Sequence, residues 1–174
     1  MFNPFKKTYE VDELKMLSFL GNLILFSSLT KDERALFLPH LHKRTYAKDE
    51  IVFLRNDPAH ALYILTDGEV ALTLDNEKSV EVITHLDSGS IFGETCILKE
   101  KKRLANAVSL SDNSTMYVLP QVSIYDIFAS NIKIKVKMLE AAANLYHDVN
   151  GDILKTYREA EGFFYMSNVY HHKP

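Results

Sequence analysis

The run IFGETCIL at residues 91–98 places a glutamate, Glu94, inside an otherwise apolar stretch. A second run, KKRLANAV at residues 101–108, carries one arginine, Arg103, nine positions after that glutamate. A charged group buried without a partner costs free energy. We therefore expect each of these two side chains to meet a polar or oppositely charged group.

Short strand-like runs surround this pair from about residue 43 to residue 119. They are rich in Val, Ile, Leu, Tyr and Thr, and turn-forming stretches separate them; the runs are EIVFL, ALYILT, GEVALTL, SVEVITHL, LANAVSL and STMYVL. Gly68 and Gly89 lie where chain reversals are expected, since glycine readily takes the positive φ of such bends. Evenly spaced short strands with turns between them predict a closed or double-sheet all-β unit.

Helical periodicity flanks the strands on both sides. Residues 9–42 are predicted to be helical, with Thr30 and Glu33 as a capping box; Ser123 and Asp126 predict another capping box after Pro120. Residues 132–164 alternate apolar positions in threes and fours, the seam of a helix that packs against a partner. The seam comprises Ile132, Val136, Leu139, Ala143, Tyr146, Val149, Ile153, Tyr157, Ala160 and Phe164. Gly151 within it predicts a kink or a break.

Composition limits the classes of protein. The 174 residues are 47% hydrophobic and 25% charged, which is enough for one domain with a core. A net charge of −3 argues against a strong nucleic-acid footprint. One cysteine excludes an intrachain disulfide and a zinc knuckle. The sequence shows neither the apolar core of a signal peptide nor a run long enough to span a membrane, so we expect a soluble, cytoplasmic protein.

Three stretches carry a family resemblance: LFSSLTKDE, IVFLRNDPAHALYILTDGEVAL, and LDSGSIFGETCIL followed by RLANAV. In order and at this spacing they resemble the cyclic-nucleotide-binding domain family, the module of the cAMP receptor protein and of the regulatory subunits of cAMP-dependent protein kinase. The resemblance implies a mainly β fold, a jelly-roll β-barrel with N-terminal helices and a long C-terminal helix. It implies a helical segment at 1–24, the barrel domain at 25–130, and a helix and tail at 131–174.

The resemblance also implies a phosphate-binding cassette, in which a short helix begins after the Gly-Glu pair and its N–H groups face a cyclic phosphate. Carried over by position, Gly93 lets the backbone approach the ligand and Glu94 accepts a hydrogen bond from the ribose 2′-hydroxyl. Thr95 and Cys96 offer backbone N–H groups, and Arg103 binds the phosphate.

Leu104 departs from the family pattern, which usually has Ser, Thr or Ala after the arginine. A hydroxyl at this position helps to hold the phosphate and often favours guanine. Leu104 lacks it, so the resemblance gives no support to cGMP and implies cAMP as the preferred ligand.

Several residues also have plain structural interpretations. Arg103 ends a charge run at 99–103, and such runs are usually solvated; Glu94 can simply cap a helix. Cys96 has no catalytic histidine framing it, so we interpret it as a packed thiol.

His40, His42 and His85 do not have the spacing of a cupin metal site, and no metal or cofactor is expected. Tyr146 or Tyr157 can stack on a purine, but the sequence does not choose between that role and core packing; His171 and His172 are expected to be solvated.

Two functional hypotheses remain open. The first is a module that senses a cyclic mononucleotide and relays its occupancy through the C-terminal helix. The second is a dimeric scaffold with a decayed pocket, which associates through the helix at 132–164. Only about ten residues follow that helix, so we expect no DNA-binding domain, and no nucleophile–base or metal set suggests an enzyme.

Overall fold

The computed structural model of the chain describes residues 9–75 and 79–161. Its helices are α1 (Val11–Gly21), α2 (Lys31–Ala35), α3 (Gln121–Ser130) and α4 (Ile132–Glu161). Its strands are β1 (His42–Tyr46), β2 (Ile51–Phe53), β3 (Ala61–Asp67), β4 (Glu69–Asp75), β5 (Val80–Asp87), β6 (Ile91–Phe92), β7 (Asn106–Ser109) and β8 (Ser114–Pro120). Short 3-10 turns span Leu38–His40 and Glu94–Ile97.

The eight strands form two four-stranded sheets, with strand orders β1-β8-β3-β6 and β2-β7-β4-β5. Every strand pair in both sheets is antiparallel. Gly68 and Gly89 take φ values of 90° and 93° at chain reversals, as predicted. The mainly β fold with flanking helices and a long C-terminal helix is confirmed.

Strand β3 is apolar from Ala61 to Leu65 because both of its faces are buried there. Leu62 and Ile64 point into a core shared with the helices, while Tyr63 and Leu65 point into a second core between the two sheets. Side chains alternate across a strand, so β3 separates these two cores. The strand therefore joins the helical layer to the barrel.

Helix α4 packs on the domain through an apolar stripe that only partly coincides with the predicted seam. Ile134, Met138 and Ala142 are buried, whereas Ile132 and Val136 of the predicted seam are exposed. The amine of Lys137 also lies 2.6 Å from a carboxylate oxygen of Glu33 in α2. The first half of α4 is thus fixed to the domain mainly by side chains outside the predicted seam, while Leu139 and Tyr146 of the seam are partly buried against the same core.

Local predictions had mixed outcomes. The capping box of Thr30 and Glu33 is present. The capping box predicted at Ser123 is wrong: α3 begins at Gln121, directly after Pro120, so Ser123 lies inside the helix and is buried. Gly151 does not break α4, which continues to Glu161.

Three residues named from the sequence, Phe164, His171 and His172, lie outside the described residues. Within 9–75 and 79–161, no helix is both long and apolar enough to cross a bilayer.

Replacement by alanine is expected to change the stability of the protein in opposite directions at Gly151 and at Gly68. A Cβ at Gly151 meets nothing within 4 Å, so Gly151→Ala should stabilise α4 by roughly 0.5–1 kcal/mol. A Cβ at Gly68 would lie 2.8 Å from the Cα of Ser114, with φ at +90°, so Gly68→Ala should destabilise the fold by about 1–3 kcal/mol. Thermal unfolding followed by circular dichroism measures both changes. A destabilising Gly151→Ala would contradict the continuous helix.

Candidate functional site

Arg103 is a buried cation in the loop before β7, with 3% of its surface exposed. One terminal nitrogen, Nη1, donates to the carbonyl of Gly93 at 2.9 Å, and Nη2 donates to the carbonyl of Ala61 at 2.7 Å. Its backbone N–H donates to the carbonyl of Asp57 at 2.8 Å. The arginine is thus clamped between the start of β3 and the Gly-Glu pair, and the interpretation of residues 99–103 as a wholly solvated run is wrong for this residue.

Aromatic rings form the wall behind the guanidinium. Its carbon lies 4.2 Å from the ring centroid of Phe53 and 5.5 Å from that of Tyr63, within the range of cation–π attraction. Tyr63 in turn stacks on Phe92 at 5.2 Å between ring centroids. These rings fix the plane of the guanidinium from one side.

The charge of Arg103 has no ion-pair partner among the described residues, whose ion pairs lie elsewhere. Its Nε is buried and makes no hydrogen bond. Burial lowers the pKa of Arg103, because a low-dielectric surrounding disfavours the charged form. A buried cation with a spare donor is strongly unfavourable unless an anion reaches it. This electrostatic arrangement favours the binding of an anion.

Gly93 is required by both the backbone and the packing at this point. Its φ of 74° and ψ of 22° lie in the left-handed region, which glycine adopts without strain. A Cβ there would lie 2.6 Å from Nη1 of Arg103 and 3.2 Å from the Ala61 carbonyl oxygen. Any larger residue would displace the guanidinium from its clamp.

The turn Glu94–Ile97 follows at once and brings the predicted cassette residues together. Thr95 and Cys96 are buried, at 9% and 0% exposure. The N–H of Cys96 already donates to the carbonyl of Gly93 at 3.2 Å. This N–H is therefore not the free donor that we expected from the sequence. The buried side chain of Cys96 packs behind the turn.

A small hollow of about 70 Å³ lies between these elements. It is lined by Phe53, Leu72, Gly93, Glu94, Thr95, Arg103, Leu104 and Ala105. Leu104 is 72% exposed, so its side chain does not fill the hollow. Pockets for whole small molecules usually measure about 300–1,000 Å³. The hollow therefore has room for only part of a nucleotide unless side chains around it move.

Helices α3 and α4 also contact the cassette. Gln121 Nε2 donates to the carbonyl of Cys96 at 2.6 Å, and the Tyr125 hydroxyl donates to the carbonyl of Ile97 at 2.9 Å. Tyr146 of α4 packs on the same core as Cys96 and Ile97. A movement of the cassette would therefore change contacts that both helices make with it.

The other candidates from the sequence lie apart from this hollow. His40 is in the turn before β1, His42 is in β1, and His85 Nδ1 lies 2.5 Å from Glu69 Oε1. Among the described residues, no three His, Cys, Asp or Glu side chains come together as a possible metal site. Tyr157 lines a different groove, beside β5. Of the two tyrosines considered for the purine, Tyr146 is the one near the cassette.

Sequence reasoning missed the groups that hold Arg103: the ring of Phe53, the ring of Tyr63 and the carbonyl of Ala61. These residues precede Arg103 by 40 to 50 positions, and strand pairing alone brings them to it. The alternation of β3, which puts Ala61, Tyr63 and Leu65 on one face, was the available signal.

Comparison with known proteins shows the family of the domain. Residues 43–131, just over half of the chain, match the model of the cyclic nucleotide-binding domain. The chain belongs to this family. The cyclic AMP receptor protein of Thermus thermophilus is 31% identical over 93 residues, which cover 53% of this chain and 43% of that protein. A regulatory subunit of cAMP-dependent protein kinase from Hypocrea atroviridis is 30% identical over 95 residues, which cover 55% of this chain and 20% of the subunit.

The fold is also similar to that of solved cyclic nucleotide-binding domains. The structure of cAMP-bound PfPKA-R superposes with a TM-score of 0.62 at 27% identity, covering 70% of this chain and 43% of that one. The chain spans less than half the length of the curated relatives described above. Membership of the cyclic nucleotide-binding domain family thus applies to the shared domain.

Cys96 is expected to be unreactive in the folded protein. Its side chain is fully buried, and burial raises the pKa of its thiol to about 12, so very little thiolate exists at pH 8. Iodoacetamide at pH 8, followed by intact-mass spectrometry, should leave the native protein unmodified and add one label in guanidinium chloride. Rapid labelling of the native protein would contradict the packed position of this thiol.

Proposed function

We propose that this domain binds a cyclic mononucleotide at the hollow between Gly93 and Leu104. The observation that carries the proposal is the buried Arg103 guanidinium, which has no carboxylate partner among the described residues and an unpaired Nε. A cyclic phosphate supplies the missing negative charge and the missing acceptor in one group. Charge-assisted hydrogen bonds of this kind are stronger than neutral ones.

The other residues of the cassette are assigned complementary roles. Gly93 allows close approach, Glu94 accepts from the ribose 2′-hydroxyl, and the Thr95 N–H donates to the phosphate. Cys96 packs behind them and contributes no free donor, while Leu104 contributes apolar contact at the edge of the hollow. Within the boundaries suggested by the sequence, residues 25–130 form the binding unit, whose role is binding and regulation and not catalysis.

We assign adenine as the preferred base. Leu104 has no hydroxyl with which to favour guanine. The relatives named above are a cyclic AMP receptor protein and a cAMP-dependent kinase subunit, and the solved PfPKA-R structure contains cAMP. The proposed order of affinity is therefore cAMP before cGMP.

Occupancy is proposed to reach α4 through the cassette. Gln121 and Tyr125 of α3 donate hydrogen bonds to the carbonyls of Cys96 and Ile97, so a displacement of the turn also displaces α3. Helix α3 leads directly into α4. A ligand shifts the helix only by its differential affinity for the two positions. The small hollow, which must open to admit a whole nucleotide, supplies such a difference.

Replacing Arg103 is expected to remove nucleotide binding. Arg103→Ala deletes the buried cation, and Arg103→Lys keeps the charge but not the planar fork that reaches both carbonyls. Isothermal titration calorimetry with cAMP should show affinity lower by about thirtyfold or more for both variants. The matched control is Lys102→Ala, which removes the neighbouring exposed cation and should bind as the wild type does.

Two results of that titration would contradict the proposed site. One is no heat from the wild type at millimolar cAMP. The other is normal affinity in Arg103→Lys, with circular dichroism confirming that the variant is folded.

A second function, self-association through α4, is favoured by a separate observation. Residues 147–159 are all exposed, and Val149, Ile153 and Tyr157 continue the stripe begun by the exposed Ile132 and Val136. A helical segment of this length is marginal in water without packing. We propose that these exposed apolar side chains, some of which line a groove beside β5, pair two copies of the chain, either alongside nucleotide sensing or as the whole function of a scaffold.

Ile153→Asp is expected to weaken that association. It places a carboxylate in the centre of the exposed stripe, which should raise the dimer dissociation constant by about tenfold or more. Asn144→Asp adds the same charge at another exposed position of α4 and serves as the control. Sedimentation velocity, run with and without cAMP, reads the oligomeric state. The highest concentration needed is about 100 µM protein, which is on the order of the dissociation constant of a weak dimer. A wild type that stays monomeric at this concentration would rule out this function.

A further inference from the structure

Strand β5 is the edge strand of its sheet, and its exposed side chains are largely apolar. The sheet order β2-β7-β4-β5 leaves one side of β5 without a neighbouring strand among the described residues. Val80, Val82 and Ile83 are 64%, 53% and 54% exposed. Proteins usually protect such an edge with charged side chains or cover it with a helix or loop. An apolar edge of eight residues therefore calls for a cover.

A β-bulge turns Ile83 out of the regular ladder of β5. Leu72 of β4 pairs with Thr84, and the next residue, Thr73, pairs with Val82, so Ile83 is the extra residue. Bulges redirect a side chain away from the position that a regular strand would give it. Ile83 lines a groove between β5 and the second half of α4.

This groove has a volume of about 720 Å³. Ile83 and Thr84 line it from β5, and Val149, Ile153 and Tyr157 line it from α4. The apolar side chains on both sides are exposed. Sites for whole small molecules measure about 300–1,000 Å³, so the groove is large enough to take several aromatic side chains.

The sequence continues past Glu161 with GFFYMSNVYHHKP, which we call the 162–174 segment. Its residues 163–166 form an unbroken run of three aromatic side chains and one methionine. Each aromatic side chain has about 150–250 Å² of surface to bury. The segment contains no Asp or Glu, so none of its side chains is repelled by Asp152, which also lines the groove. Its composition thus matches the groove in both polarity and charge.

The segment begins beside the groove. Tyr157, which lines the groove, precedes the end of α4 at Glu161 by one turn. Ile153 lies eight residues before Glu161, about 12 Å along the helix. The five residues from Gly162 to Met166 span at most about 17 Å, and a glycine permits a sharp change of direction. The aromatic run can therefore reach Ile153 with α4 in its present position.

We propose that the 162–174 segment folds back into the groove between β5 and α4, where its aromatic run covers the edge strand. A segment attached next to its site has an effective concentration in the millimolar range. A second copy at micromolar concentration has to bind about a thousandfold more tightly to occupy the same groove. The chain's own segment is therefore the favoured occupant.

The docked segment also covers Val149, Ile153 and Tyr157, the side chains assigned above to the pairing of two copies. Docking and self-association then compete for one surface, and the segment limits the dimer. This competition rests on the proposed self-association, whereas the docking itself does not.

Phe164→Trp tests the docking, because the chain contains no tryptophan of its own. At about 1 µM protein, where a weak dimer is dissociated, the emission should be blue-shifted relative to the same protein in guanidinium chloride. Adding Ile83→Asp places a carboxylate in the groove and should move the emission most of the way to the unfolded value. The matched control is Val80→Asp, which adds the same charge to β5 at an exposed position outside the described lining of the groove. It should leave the blue shift unchanged.

Three results, with circular dichroism confirming that each variant is folded, would overturn the docking. One is an emission at low concentration equal to that of the unfolded protein. Another is a blue shift that Ile83→Asp does not reduce, since the tryptophan then lies elsewhere. The third is a blue shift that appears only near about 100 µM protein, which would assign the groove to a second copy.

Sedimentation velocity separates docking from self-association. Phe164→Asp should lower the dimer dissociation constant by about tenfold, because the stripe on α4 is then uncovered. Asn168→Asp adds the same charge outside the aromatic run and should leave the constant unchanged. Equal constants in wild type and Phe164→Asp would overturn the competition. If none of these proteins dimerises while Ile83→Asp still shifts the tryptophan emission, self-association fails and the docked segment stands.

Discussion

The structure depends on the accommodation of one buried positive charge. The protein contacts the guanidinium of Arg103 in three places: two carbonyls accept hydrogen bonds from its terminal nitrogens, and aromatic rings cover one face. No carboxylate among the described residues forms an ion pair with it. A protein can keep such a group only if the surrounding fold supplies enough packing energy to offset the desolvation. The two cores on either side of β3 supply that packing, and the proposed nucleotide site rests on this charge without an ion-pair partner.

Most features of the cassette follow from this clamp. Gly93 must lack a side chain because the guanidinium lies where its Cβ would be. Its left-handed backbone then reverses the chain, so that Glu94 comes beside the hollow and Cys96 is buried behind it. The backbone conformation at one glycine thus positions the arginine and the carboxylate together. A ligand with an anion at one end and a hydroxyl at the other matches this pair.

The two halves of helix α4 differ in burial. Its first half is held by Ile134, Met138 and Ala142 in the core and by the ion pair between Lys137 and Glu33. The side chains of its second half, residues 147–159, are exposed. Small shifts at the boundary near Tyr146 therefore produce larger displacements at the far end, because a helix transmits direction along its length. An anchored half followed by an exposed half suits the helix to report on the cassette.

The sequence by itself determined the fold class and six of the strands, and it singled out Glu94 and Arg103, because periodicity, turn residues and short-range spacing are local properties. It did not give β1 or β6. It also located the capping box at Thr30. It misjudged the start of α3, the effect of Gly151 and the face on which α4 packs, since propensity is overridden when neighbouring layers bury one stripe in preference to another. Only the tertiary structure brought Phe53, Tyr63 and the Ala61 carbonyl to Arg103. Strand register sets those contacts between residues far apart in sequence, whereas the local alternation of β3 indicates only which of its residues share a face.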